Sequence, residues 1–241
     1  MGPAMEPSAT FEELEIPLPE PIHGKDHLKG VLGIPEWWPT GERIAVVFAH
    51  GGGSDHTDPL IAAVCSALTE RSYLTLRFNF PFAEAGKRAT SDSPAILERG
   101  YRAALNVLGR DPTALPARLI VGGMGLGGRV AAGLVADRLQ ADGLFVLGFP
   151  LHPQDKPEKS DPEVLFRSTA PTLFVQGTRD RRCDPGALRQ ALRRVGAPIE
   201  LYDVPEADSN FHVPRKSGRT NEQVQAEVFG VLNNWIGRRT R

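Results

Sequence analysis

The sequence predicts an α/β fold, with a mostly parallel central sheet and helices on both of its faces. Two observations carry this. Solid apolar runs of strand length, such as "IAVVFA", "RLIVGG" and "PTLFVQG", alternate with amphipathic segments of helical spacing. Strands with no polar alternation are those buried on both sides, which a sheet covered by helices provides. Most polar and titratable residues of interest follow these runs, at the carboxyl ends of the strands, where such sheets bind ligands.

Taken in order, "FEELEIPL" and "LKGVLGIP" read as two early strands forming a hairpin. Ile44 to His50 is a continuous apolar strand that ends in glycines. "PLIAAVCSALTERS" has helical spacing, with Ile61, Val64, Cys65 and Leu68 on one face. "YLTLRFNF" is β-branched and aromatic, hence strand. "SPAILERGYRAALNVLG" is helical, with Ser93 as N-cap and Pro94 in the first turn. "RLIVGG" is strand and "GLGGRVAAGLVAD" helix; "GLFVLGFP" and "PTLFVQG" are strands. "DPGALRQALRRVG" is a helix capped by Asp184, with Gly196 beyond its end. "IELYDVP" is the last strand, and "NEQVQAEVFGVLNNWIGRR" the last helix, with Val224, Val228, Val231, Leu232 and Trp235 as its buried stripe. Residues 1–10 are expected to be a disordered leader, 11–241 a single domain, and 152–168 a lid or cap.

Composition narrows the function classes. The chain has 241 residues and a formal net charge of −1, so no global field favours nucleic acid or an anionic membrane. No apolar run is long enough to span a bilayer. The first residues lack the basic start and apolar core of a signal peptide. Cys65 and Cys183 occur in no metal-binding spacing, and a cytoplasmic protein with reduced thiols is expected. Asp55, His56 and Asp58 could ligate a metal, but such residues before a helix more often cap it; no metal and no cofactor are expected. "GGMGLGG" lacks the G-K-[ST] of a phosphate-binding loop. As a dinucleotide fingerprint it has its acidic residue, Asp142, before the next strand rather than after it.

Three strand ends form a constellation in chain order. "HGGG", His50 to Gly53, follows a buried strand, and its backbone N–H groups suit a developing oxyanion. "GGMGLGG" is a strand-to-helix turn of the type that carries a nucleophile in G-x-S-x-G. Asp180, in "VQGTRD", stands after the penultimate strand, where an acid belongs. With "LRFNFP", "LGFPLHP…KPEK" and "EADSNFHVP", these motifs run from about Ala45 to Trp235.

In these motifs the chain resembles the dienelactone-hydrolase-like α/β-hydrolases. It is most similar to a small one-domain branch with testis-expressed and histone-acetyltransferase-complex relatives. The resemblance implies an α/β-hydrolase fold with a Ser–Asp–His triad. Members read G-G-x-S-x-G-G-R at the turn and A-D-H-S-F in the last loop. Here Gly125 stands at the nucleophile position and Ser209 at the histidine position; only the acid, Asp180, is kept. Glycine cannot attack a carbonyl, and a serine hydroxyl is no base near neutral pH. The reading is therefore a non-catalytic member that binds a small molecule or a protein partner. The pocket is expected to be formed by Gly51, Gly52, Gly53, Met124, Leu126 and His152. Two alternatives stand beside it: hydrolysis or lyase chemistry through Asp180, with His212 as substitute base, and an interaction scaffold. His50 is expected to brace the glycine loop, Arg129 to anchor its helix, and Cys183 to be a poor nucleophile.

Overall fold

A computed structural model describes residues 9–38, 43–110 and 115–239. Eight strands form one sheet in the order β1-β2-β4-β3-β5-β6-β7-β8. They are β1 (Thr10–Ile22), β2 (Lys25–Ile34), β3 (Ile44–Ala49), β4 (Leu74–Phe78), β5 (Arg118–Met124), β6 (Gly143–Leu147), β7 (Thr172–Gly177) and β8 (Ile199–Val204). β1 and β2 form an antiparallel hairpin, β2 meets β4 antiparallel, and every other pairing is parallel. The predicted fold class is the observed one. The leader expected over residues 1–10 lies outside the described residues except for Ala9 and Thr10, and Thr10 already belongs to β1.

The hairpin is longer than the sequence suggests because β1 continues through Pro17, Pro19 and Pro21. Proline has no N–H for a ladder, but it is tolerated on an edge strand, and β1 is the outer edge of this sheet. Pro19 and Pro21 fall between the Pro17–His27 and Ile22–Lys25 pairs, where the register shifts.

The helices are α1 (Pro59–Thr69), α2 (Pro81–Glu84), α3 (Pro94–Val107), α4 (Leu126–Ala136), α5 (Glu163–Phe166), α6 (Pro185–Leu192) and α7 (Asn221–Arg239). The period-2 rule of strands sorts the core into two layers. Val47 and Ala49 of β3 pack with Leu97 and Tyr101 of α3, Ala131 and Val135 of α4, and Leu188 of α6. Val46 and Phe48 pack on the other face with Ile61, Val64 and Leu68 of α1 and Val228, Leu232 and Trp235 of α7. The expected caps are in place: Asp58 accepts the N–H groups of Leu60 and Ile61, Ser93 that of Ile96, and Asp184 that of Ala187. No helix among the described residues is long and apolar enough to cross a membrane.

Residues 152–168 contain only one turn of 3-10 helix (Pro157–Lys159) and α5. They are pinned down by an Arg129–Asp161 ion pair, by an Arg181–Asp155 ion pair and by the Asp155 N–H on the Arg181 carbonyl at 2.8 Å.

Candidate active site

A cavity of about 490 Å³ opens at the carboxyl ends of the parallel strands. Its walls are Gly51–Ser54 after β3, Met124–Leu126 between β5 and α4, Gly148 and Pro150 after β6, Arg182 after β7, and Ser209, Asn210 and His212 after β8. The structure thus brings together Gly51, Gly52, Gly53, Met124, Gly125, Leu126, Ser209 and His212. Asp180 is not among the lining residues and lies just behind Arg182.

The turn at Gly125 has the geometry of a nucleophile elbow. Gly125 has φ 53° and ψ −114°, and its N–H reaches the Leu147 carbonyl at 2.8 Å. The glycines around it are there for another reason, lack of room. A β-carbon on Gly123 would come within 2.5 Å of the Ala49 carbonyl oxygen, and one on Gly127 within 2.6 Å of the His50 carbonyl oxygen. One on Gly128 would come within 2.6 Å of Val146. These contacts press α4 against β3 and β6. At Gly125 the situation is reversed: a β-carbon would find nothing nearer than the Gly148 oxygen and the Gly51 Cα, both at 4.0 Å. Only its positive φ favours glycine.

His50 is fully buried and edge-on to Phe80 and Phe82. Its Nε2 accepts the Phe80 N–H at 3.0 Å, which leaves the proton on Nδ1, 2.7 Å from the Gly51 carbonyl oxygen. Burial pushes the imidazole down to about 4, against a smaller opposing effect of the Gly51 bond. The ring is therefore a neutral brace. Drawing the Gly51 carbonyl toward it turns the N–H of the same trans peptide, that of Gly52, the opposite way.

Asp180 is buried and accepts two hydrogen bonds, from Gln176 Nε2 and from the Arg182 N–H, each at 2.8 Å. Burial raises its pKa; those two bonds and the Arg182 charge oppose this, while the Asp208 charge adds to it. Neither donor is a histidine. His212 pairs instead with Asp208: its Nδ1 is 3.8 Å from Asp208 Oδ2, and its N–H is 2.9 Å from Oδ1. Asp208 also accepts the Asn210 N–H. It thereby folds the loop that presents Ser209, while Phe211, at φ 60°, anchors that loop in the core. A β-carbon on Gly148 would stand 2.9 Å from the Ser209 carbonyl oxygen, so the two strand ends nearly touch.

One expectation needs correction. His152 does not line the cavity; its Nδ1 is held 2.9 Å from the Pro153 carbonyl oxygen and its N–H by the Arg182 carbonyl. Cys183, expected to be a poor nucleophile, is buried, and burial, with the Asp180 and Asp184 charges added, pushes its thiol up to about 12. Asp55 and His56 make local bonds, to Thr57 and to Asn79 respectively. Arg129 grips the Asp161 carbonyl at 2.9 Å, joining α4 to the segment above it. Sequence reasoning missed Gln176, Arg182, Gln154 and Asn210. The "VQGTRD" run places Gln176 four residues before Asp180, at the end of the same strand, which was the available signal.

Solved structures share this architecture. A dienelactone hydrolase from Anabaena variabilis superposes with a TM-score of 0.71 at 20% identity, over 96% of this chain and 98% of that one. An α/β serine hydrolase homologue from Coxiella burnetii gives 0.69 at 17%, over 92% and 95%. A dienelactone-hydrolase-like promiscuous phosphotriesterase from metagenomic libraries gives 0.72 at 14%, over 96% and 98%. At these identities the likeness establishes the fold. The model of the α/β hydrolase domain family matches residues 42–237, most of the chain, and the protein belongs to that family.

Proposed function

We propose that this protein is an α/β-hydrolase that has given up serine-hydrolase chemistry and uses its cavity to bind a small molecule. One observation carries the reading: the elbow keeps its φ 53° geometry around a residue with no side chain. Ser209, where the resemblance expects the base, is a second loss. Removing the nucleophile or base of such a triad lowers turnover by many orders of magnitude, and what remains is binding and oxyanion stabilisation. The glycine loop, the uncapped start of α4 and the braced His50 are what a binding site would retain.

Hydrolysis through Asp180 and His212 has less support, because Asp208 is the carboxylate beside His212. Resemblance to the branch with chromatin-complex relatives favours a protein partner in addition to the ligand. The test is labelling with a fluorophosphonate probe together with hydrolysis of nitrophenyl esters. We expect no labelling and turnover at the buffer background. Turnover that His212→Ala abolishes would overturn the proposal. Native mass spectrometry of the purified protein would detect a ligand that copurifies.

A further inference from the structure

We infer that the ligand of this cavity is a carboxylate. One of its oxygens would lie against the start of α4, the other in the space beside Gly125, with Arg182 meeting its charge. The inference rests on the binding reading above. Three observations converge on it.

The first is space. Apart from its neighbours in the chain, no atom lies nearer than 4.0 Å to the point where a side chain at position 125 would begin. A serine there would fill that space with one oxygen. Glycine leaves it to the ligand, and a carboxylate has one more unsubstituted oxygen than an ester or an amide to place in it.

The second is the donor set. α4 has eleven residues, and no side chain caps its N-terminus. Its first N–H groups, beginning with Leu126, have no intrahelical acceptor, and the helix dipole favours an anion there. The Gly52 N–H is turned away from His50 on the same rim.

The third is charge. Arg182 lines the cavity and makes no ion pair among the described residues, although its charge reaches Asp180 behind it. The one carboxylate in the lining, Asp58, is spent on the N–H groups of Leu60 and Ile61. His212 is already beside Asp208. The walls therefore hold a cation and no uncommitted acid. Leu60, Met124, Leu126 and Pro150 provide apolar surface for the rest of the ligand.

The test uses the full chain at pH 7 and compares acetate, hexanoate, benzoate and 4-phenylbutyrate with their amides and methyl esters, by calorimetry and melting temperature. At least one of the larger acids is expected to bind about tenfold or more tightly than its amide. Arg182→Gln, at an exposed position, should remove that preference. Gly125→Ser should weaken acid binding by filling the open space. Equal binding of acid and amide would overturn the carboxylate assignment and leave the binding reading standing. So would an acid preference that survives Arg182→Gln. No binding of any acid up to about 10 mM would also overturn it. Consumption of a methyl ester would instead overturn the binding reading itself.

Discussion

Gln176 and Asp180 are joined side chain to side chain at the end of β7, with Gln176 Nε2 2.8 Å from Asp180 Oδ2 and both residues buried. The other end of the same amide holds the Phe149 N–H, also at 2.8 Å, so one glutamine ties the end of β6 to the acid. Gln176→Leu would leave a buried carboxylate short of one donor and a buried N–H without an acceptor. Unpartnered buried groups of this kind cost about 1–3 kcal/mol each. A loss of about 2–5 kcal/mol in urea denaturation is expected, with Gln176→Glu no rescue, because it sets two carboxylates against each other.

The elbow glycines should separate by mechanism. Gly125→Ala introduces no steric contact, only a side chain at positive φ, which costs about 1–3 kcal/mol. Gly127→Ala would push a β-carbon to 2.6 Å from the His50 carbonyl oxygen, between α4 and β3. It is expected to cost more than Gly125→Ala and to fold poorly. Melting temperatures that rank the two in the opposite order would contradict the packing described.

Acid should loosen the protein through His50. In the unfolded chain a histidine takes up a proton near 6.5, whereas burial holds this one neutral down to about 4. Between those values unfolding binds a proton, so stability falls as pH drops from about 6.5 to 4 and is unaffected above that window. The full contribution is on the order of 3 kcal/mol. Chemical denaturation of His50→Gln at pH 7 and pH 4.5 checks it. The variant is less stable at pH 7 but loses less than the wild type on acidification.

Introducing the serine and histidine that the family resemblance expects tests whether the site has the shape for a triad. Gly125 and Ser209 both line the cavity, and Asp180 stands behind them. The double variant Gly125→Ser, Ser209→His is expected to hydrolyse nitrophenyl acetate at least about tenfold above the wild type, and Asp180→Asn on that background should reverse the gain. No gain would mean that the loop around Asp208 holds position 209 away from the elbow.

The fold was legible because its signals are local. "IAVVFA" is buried on both sides, and Asp58, Ser93 and Asp184 cap the helices they precede. The elbow could be read from Gly123, Gly127 and Gly128, whose close contacts leave no choice of residue. The pairings within the site could not. That His212 lies by Asp208 rather than Asp180 follows from a turn four residues long, and Asp208 lies within the very motif that was read. His152 sits at a strand end like its neighbours, but a bond to the next carbonyl keeps it from lining the cavity. Period and composition describe faces; they do not say which of two nearby carboxylates a loop will choose. β1 ran past its expected end because proline, a strand breaker inside a sheet, is harmless at its margin.

Those three prolines have a consequence for the amount of protein a cell can hold. A catalyst acts in traces, but a molecule that sequesters its ligand must be present in quantities comparable to it. High concentration is where exposed sheet margins zip together into fibrils. Pro17, Pro19 and Pro21 interrupt that growth along half of β1, and the carboxylates of Glu12, Glu13 and Glu15 repel a like strand along the rest. An outer strand closed to growth in this way suits the abundance that the binding function proposed above would require.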